Sequence, residues 1–125
     1  MDKRQLIEEA KKAAKQAYAP YSGFKVGAAL LTRTGKVYTG CNVENSSFGL
    51  TNCAERTAVF KAVSEGDRDF IEVAIFTDTD KLFSPCGACR QVLSEFGNHI
   101  KVSITNRHET IDTDIKSLLP LSFNL

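Results

Sequence analysis

Three cysteines and a glutamate carry the chain's clearest chemical signal: Cys53-Ala54-Glu55 in one segment and Cys86-Gly87-Ala88-Cys89 in another. Each cysteine group falls where a loop is expected to hand over to a helix. A helix N-terminus offers partial positive charge and free N–H groups, and both favour a thiolate. Three thiolates gathered by converging helix ends suit zinc and leave its fourth position open to water, whereas a closed structural site normally takes four protein ligands. Glu55, two residues past Cys53, is then placed beside that open position. Zinc makes a water acidic near pH 7, at about 7 for its pKa, and a neighbouring carboxylate can accept the proton and pass it on.

The same residues have plainer readings. Glu55 lies three residues after Asn52 and completes a capping box if Asn52 caps the helix. Cys86 and Cys89 have the spacing of a redox pair, although nothing around them has thioredoxin character. Cys41, at a strand end before Asn42, reads as a buried inert thiol; as a fourth ligand it would instead close the metal site into a non-catalytic module. His99 and His108 lie outside the elements, lack ligand spacing and read as surface residues.

The elements that must position these groups follow from periodicity. Leu6, Ala10, Ala13, Ala14 and Ala17 predict a helix between Asp2 and Tyr18, ended by Pro20. Phe24 to Thr32 reads as a buried strand, Arg33-Thr34-Gly35-Lys36 as a turn, and Val37 to Gly40 as the returning strand of an antiparallel hairpin. Asn42 to Asn52 is irregular and polar, suited to lining a site. A second helix is expected from Cys53 to Val63, with Asn52 as N-cap and Gly66 beyond its end. Phe70 to Thr77, with Val73, Ala74, Ile75 and Phe76 in succession, reads as a strand covered on both faces. Ser84-Pro85 predicts the N-cap and first position of a third helix reaching Phe96, closed by Gly97. Ile100 to Thr105 is the next strand. Two β-helix-β crossovers in a row imply parallel pairing joined to the antiparallel hairpin, so the sheet is mixed. Asn106-Arg107-His108 is too short for a crossover, so a last strand near Glu109 to Asp112 is expected to run antiparallel. A short helix with Ile115, Leu118 and Leu119 follows.

Length and composition set outer bounds. The 125 residues fit one domain spanning 1–125. Apolar residues at 42% and charged residues at 25% argue against long disorder. A net charge of +1 gives no broad footprint for a polyanion, so nucleic acid is not an expected partner. No apolar run reaches membrane-spanning length, and an amphipathic segment follows Met1-Asp2-Lys3-Arg4-Gln5 where a signal peptide would place an apolar block. No membrane partner is expected, and a cytoplasmic chain with reduced cysteines is.

The run Cys-Ala-Glu-Arg-Thr-Ala at Cys53 to Ala58, the run Pro-Cys-Gly-Ala-Cys-Arg-Gln at Pro85 to Gln91, and the run Tyr-Ala-Pro-Tyr-Ser-Gly-Phe-Lys-Val-Gly-Ala-Ala at Tyr18 to Ala29 occur in an order and at intervals that resemble the small homotetrameric zinc-dependent cytidine deaminases. The likeness spans nearly the whole chain. It implies an α/β class, three-layer α/β/α cytidine deaminase-like fold with a mixed five-stranded sheet, and one zinc per chain. It also implies hydrolytic deamination of cytidine and deoxycytidine to uridine and deoxyuridine with release of ammonia, in pyrimidine salvage. By the same resemblance Glu55 is catalytic, Cys53, Cys86 and Cys89 hold the metal, and Arg56 offsets thiolate charge. Asn42 and Glu44 hold the ribose, Phe24 packs by the base, Ala54 belongs to the substrate site, and Phe123 reaches a neighbouring subunit's site in the homotetramer.

Plain core packing is the other reading of Phe24 and Phe123, and a surface position that of Arg56. Two related activities compete at the level of substrate. An enzyme acting on an aminonucleoside antibiotic such as blasticidin S shares the zinc motifs, but the Cys-Ala-Glu-Arg run with Asn42 and Glu44 favours cytidine. A polynucleotide-editing deaminase needs basic and aromatic surface for phosphates and flanking bases, and its relatives use a parallel last strand.

Overall fold

The sheet edge, the helix starts and the loops between them all matter to the site, and a computed structural model describes them over residues 1–125. Helix α1 spans Lys3–Ala14, followed by the hairpin strands β1, Val26–Thr32, and β2, Val37–Cys41. After a short 3-10 turn at Phe48–Leu50 come helix α2, Ala54–Ser64, strand β3, Phe70–Thr77, and helix α3, Gly87–Ser94. Strands β4, Lys101–Thr105, and β5, Thr110–Asp114, run into the one-turn helix α4, Ile115–Leu118. The strands form one sheet in the order β2-β1-β3-β4-β5. Only β3 and β4 pair parallel; β1 pairs antiparallel with both β2 and β3, and β4 with β5.

Alternation along the central strands builds three layers. Ala29 and Leu31 of β1 with Ala74 and Phe76 of β3 face α1, where they bury Leu6, Ala10 and Ala14. Ala28, Leu30, Val73, Ile75, Val102 and Ile104 face the other way, against Ala58, Val59 and Ala62 of α2, Leu93 of α3 and Ile115 of α4. Phe70, Leu93 and Ile100 are fully buried, and each such side chain contributes about 1.5–3 kcal/mol. Covering both faces explains the unbroken apolar run in β3.

One close approach fixes how deep the first cysteine segment sits. A Cβ added at Gly40 of β2 would stand 2.5 Å from the Ala58 nitrogen and 2.6 Å from the Ala54 carbonyl. The first turn of α2 therefore rests on bare β2 backbone, which only glycine allows.

Several boundaries differ from the expectations, each for a physical reason. Helix α1 is opened by Asp2, whose side chain accepts from the Gln5 N–H in a capping box, and it stops at Ala14 with Lys15 as C-cap, well before Pro20. Tyr18 has left the helix because its N–H donates to the Asn42 carbonyl and it bridges to Val43. The N-cap of α2 is Cys53, not Asn52; the Asn52 amide instead donates to Thr57 Oγ1 at 3.1 Å. The capping-box reading of Glu55 goes with it. Helix α3 is capped by Cys86 and begins at Gly87, later than Ser84-Pro85 suggested, since Ser84 and Pro85 are held extended by Arg90. Of the two expected parallel pairings, one forms: β2 and β3 run in the same direction, but β1 lies between them. The antiparallel last strand forms as expected.

Candidate active site

Cys53 and Cys86 occupy the same local position, the N-cap residue of α2 and of α3. Cys89 lies one turn into α3 and is buried, Cys53 is half-buried and Cys86 exposed. The two helices begin side by side, so the three sulfurs lie within 4.8 Å of one another. Cys53 Sγ and Cys86 Sγ are 3.7 Å apart. Sulfurs of a tetrahedral zinc site, each about 2.3 Å from the metal, stand about 3.8 Å apart, so the donor set fits zinc in chemistry and in spacing. Cys41, half-buried at the end of β2, stands outside the cluster, which excludes a four-sulfur module.

Charge around the cluster favours ionised sulfur. The Cys53 thiol is drawn down to about 5, first by a hydrogen bond from Cys89 and, against the cost of burial, by Arg56 and Cys86. Cys89 is pushed up because it is hydrogen-bonded to Cys53 and is itself buried. Arg56 Nη2 donates to Cys53 Sγ at 3.2 Å. Its Nε is buried without a partner, which carries a desolvation cost. Thiolate attraction raises the Arg56 guanidinium above its ordinary range.

Glu55 is 4% exposed in the first turn of α2. Burial pushes its carboxyl up to about 7. A carboxylate so placed holds or releases a proton near neutrality, the property wanted of a proton shuttle.

In front of the cluster lies a cleft of about 250 Å³ lined by Asn42, Glu44, Cys53, Ala54, Glu55 and Cys86, among others. Binding pockets run from about 300 to 1,000 Å³, so this one has room for a single small ligand. Asn42 is 8% exposed. Its Oδ1 accepts from the Val26 N–H at 2.9 Å and its Nδ2 donates to the Phe24 carbonyl at 2.8 Å, so it also pins the entry of β1. Glu44 Oε1 accepts from the N–H groups of Tyr21 and Ser22, and Ser22 Oγ donates to Oε2. Those bonds, the Ser22 hydroxyl first, hold Glu44 below the usual carboxylate range. It meets a ligand as a pre-oriented anion.

The two aromatics expected near the ligand are placed differently. Phe24, 39% exposed, does not itself line the cleft but packs on Phe83, which does, with ring centroids 5.0 Å apart. Phe123, 67% exposed in the tail, is not among the residues lining this chain's own cleft. Thr51 and Asn52, in the loop expected to line a site, do line the cleft, whereas Phe83 and Ser84 line it and were missed by sequence reasoning, Phe83 above all. The signal was its place two residues before Pro85 in a loop that feeds a metal ligand. His99 and His108 are exposed, as expected.

Such a sheet, with three thiols at two helix starts beside a buried carboxylate, has the build of a zinc hydrolase acting on a small polar ligand. Residues 1–105 match the model of the cytidine and deoxycytidylate deaminase zinc-binding region, and the chain belongs to that family. It is 55% identical over 126 residues to a cytidine deaminase of Sporosarcina psychrophila, covering 99% of this chain and 93% of that one. A cytidine deaminase of Halalkalibacterium halodurans is 51% identical over 125 residues, with 98% and 95% covered. The crystal structure of a cytidine deaminase from Burkholderia pseudomallei superposes with a TM-score of 0.94 at 51% identity, covering 98% of this chain and all of that one.

Proposed function

We infer that the protein is a zinc-dependent cytidine deaminase that hydrolyses free cytidine and deoxycytidine to uridine and deoxyuridine with release of ammonia. The observation that carries this reading is the buried Glu55 beside the Cys53, Cys86 and Cys89 sulfurs, at the floor of a cleft whose rim presents Asn42 and Glu44. Family membership and the cytidine deaminase relatives support it.

Zinc, held by Cys53, Cys86 and Cys89, supplies Lewis acidity that makes water nucleophilic near neutral pH. Glu44 and Asn42 accept and donate to the sugar hydroxyls, which orients the base toward the sulfur cluster. Glu55 takes the proton of the attacking water and delivers it to the ring nitrogen beside C4, so that this carbon becomes electrophilic. After addition at C4, Glu55 takes the proton of the new C4 hydroxyl and carries it to the exocyclic amine; the C4–N bond breaks, ammonia leaves and C4 becomes the carbonyl carbon of the product. Ala54, at the start of α2, gives the base a flat wall at the cleft floor, and Phe24 with Phe83 closes the mouth. Arg56 withdraws charge from Cys53, because three thiolates around a divalent cation leave a net negative centre that makes water less acidic.

The substrate is a free nucleoside. The antiparallel β5 resembles the free-nucleoside enzymes, the net charge of +1 offers little general attraction to phosphate, and Glu44 at the rim repels it. No helix is long and apolar enough to cross a membrane. All four cysteines are free, which suits a reducing cytoplasm. Residues 1–125 act as one domain, and the active form is a homotetramer. The exposed Phe48, Leu50 and Phe60 support association, and Phe123 is the residue offered to a neighbouring cleft. Ammonia release from cytidine, deoxycytidine, adenosine and blasticidin S tests the assignment: turnover of the first two alone is the expected result, and preference for blasticidin S would replace it.

A further inference from the structure

The loop from Asp78 to Pro85 has no regular structure, yet it supplies Phe83 and Ser84 to the cleft and ends at the metal-binding Cys86. Two separate clamps hold it. At its far end Arg90 Nε donates to the Pro85 carbonyl at 2.8 Å and Arg90 Nη2 to Ser84 Oγ at 3.0 Å. At its near end the β4–β5 turn holds it, through Asn106, Arg107 and His108.

Asn106 is the centre of that near clamp. It is 3% exposed. Its Oδ1 accepts from the His108 and Glu109 N–H groups at 2.8 and 2.9 Å, which shapes the turn, while its Nδ2 donates to the Asp80 carbonyl at 2.9 Å. The exposed rim adds Arg107 N–H to the Thr79 carbonyl, Arg107 Nε to Asp78 Oδ1 at 2.9 Å, and His108 Nε2 to Asp80 Oδ1 at 2.8 Å. Between the clamps run Lys81, Leu82 and Phe83. Leu82 packs on the main core, and Phe83 packs on Phe24.

We propose that Asn106 is a positioning residue for nucleoside binding: by holding the Asp80 carbonyl it fixes the loop that sets Phe83 against Phe24 at the cleft mouth. The proposal rests on the reading of the cleft as a nucleoside site. Because Arg90 independently secures Ser84 and Pro85, release of the near clamp moves Phe83 without moving Cys86. The effect falls on substrate binding and leaves zinc and the proton transfers alone.

Asn106→Asp separates the two jobs of the side chain, since a carboxylate keeps the acceptors that shape the turn and loses the donor to Asp80. The test measures amide hydrogen exchange over residues 79–83, KM and kcat for cytidine, and zinc content, in the zinc-loaded full chain. The expected result is faster exchange in the loop and a KM raised by about fivefold to tenfold, the scale of one lost hydrogen bond, with kcat and zinc changed by less than about twofold. If Asn106→Asp does not fold, the pair Arg107→Ala and His108→Ala, both on the exposed rim, is expected to give the same split with a smaller rise in KM. Unchanged loop exchange, or a fall in kcat and zinc content together with KM, overturns the proposal. An inactive wild-type enzyme with the loop exchange behaving as expected would instead sink the nucleoside reading and leave the clamp standing.

Discussion

Arg56 and Cys53 lie one helical turn apart in α2, and Arg56 Nη2 donates to Cys53 Sγ at 3.2 Å while its Nε remains buried without a partner. The half-buried arginine thus turns to the sulfur cluster and pairs with no acidic side chain. Arg56→Gln is expected to slow cytidine turnover by about 10- to 100-fold and to raise the zinc dissociation rate by a similar factor. KM should change little, because Asn42 and Glu44 are untouched. Steady-state kinetics with a chelator-competition assay checks both, and an unchanged rate with unchanged zinc retention would return Arg56 to a structural role.

Cys86 caps α3 without a side-chain hydrogen bond of its own to that helix. On the proposed ligand set, its value to the fold comes through a metal that would tie α3 to α2. Cys86→Ala should reduce bound zinc from about one per chain to a small fraction and lower the melting temperature to that of chelator-treated wild type. Retention of full zinc in this variant would require a different ligand set.

Glu55→Gln keeps the size and polarity of the side chain and removes its proton transfers. Turnover should fall by about 100- to 10,000-fold with zinc retained. A second readout comes from pH. In the zinc-free protein burial pushes Glu55 from its ordinary 4.5 up to about 7. Between those values the folded chain holds a proton that the unfolded chain has released, so stability present below pH 4.5 is lost as pH rises through about 7. Zinc-free Glu55→Gln should accordingly melt with zinc-free wild type in acid and above it at pH values beyond 7. Parallel melting curves across the whole range would show that Glu55 is not buried as a titrating group.

Gly40 allows α2 to rest on β2, with an added Cβ only 2.5 Å from the Ala58 nitrogen. Backbone cannot swing aside as a long side chain can. Gly40→Ala is expected to cost about 1–3 kcal/mol and, by displacing the first turn of α2, to weaken zinc binding as well. Denaturant unfolding of the zinc-loaded and zinc-free variants separates the two contributions.

What was legible in the sequence follows from where periodicity and spacing carry physical content. The unbroken run Val73-Ala74-Ile75-Phe76 marked a strand buried on both faces from Phe70 to Thr77, and β3 spans Phe70–Thr77. The short Asn106 to His108 link marked an antiparallel neighbour, which β5 is. The cysteine spacing pointed to a three-sulfur cluster because two helix starts are a natural place for thiolates to meet. The helix starts themselves were misread by one and two residues, at Asn52 against Cys53 and at Ser84 against Cys86. Asn and Ser are strong cap formers in isolation, but here tertiary bonds to Thr57 and Arg90 claim their side chains. Phe83 was invisible for a related reason: it lies in a loop without regular structure, bonded at Asp80 by Asn106 and at Pro85 by Arg90, and no local pattern encodes that path.

The central claim is that the cleft takes a free nucleoside and that Glu55 moves its protons. Cytidine, cytidine 3′-phosphate and a short cytosine-containing single strand, offered separately to the zinc-loaded enzyme at low salt with ammonia release followed, test it most directly. Rapid deamination of cytidine is expected, with poor turnover of the 3′-phosphate because Glu44 repels it, no turnover of the strand, and a fall of about 100- to 10,000-fold in Glu55→Gln. Efficient deamination of the strand, or undiminished cytidine turnover in Glu55→Gln, would contradict it.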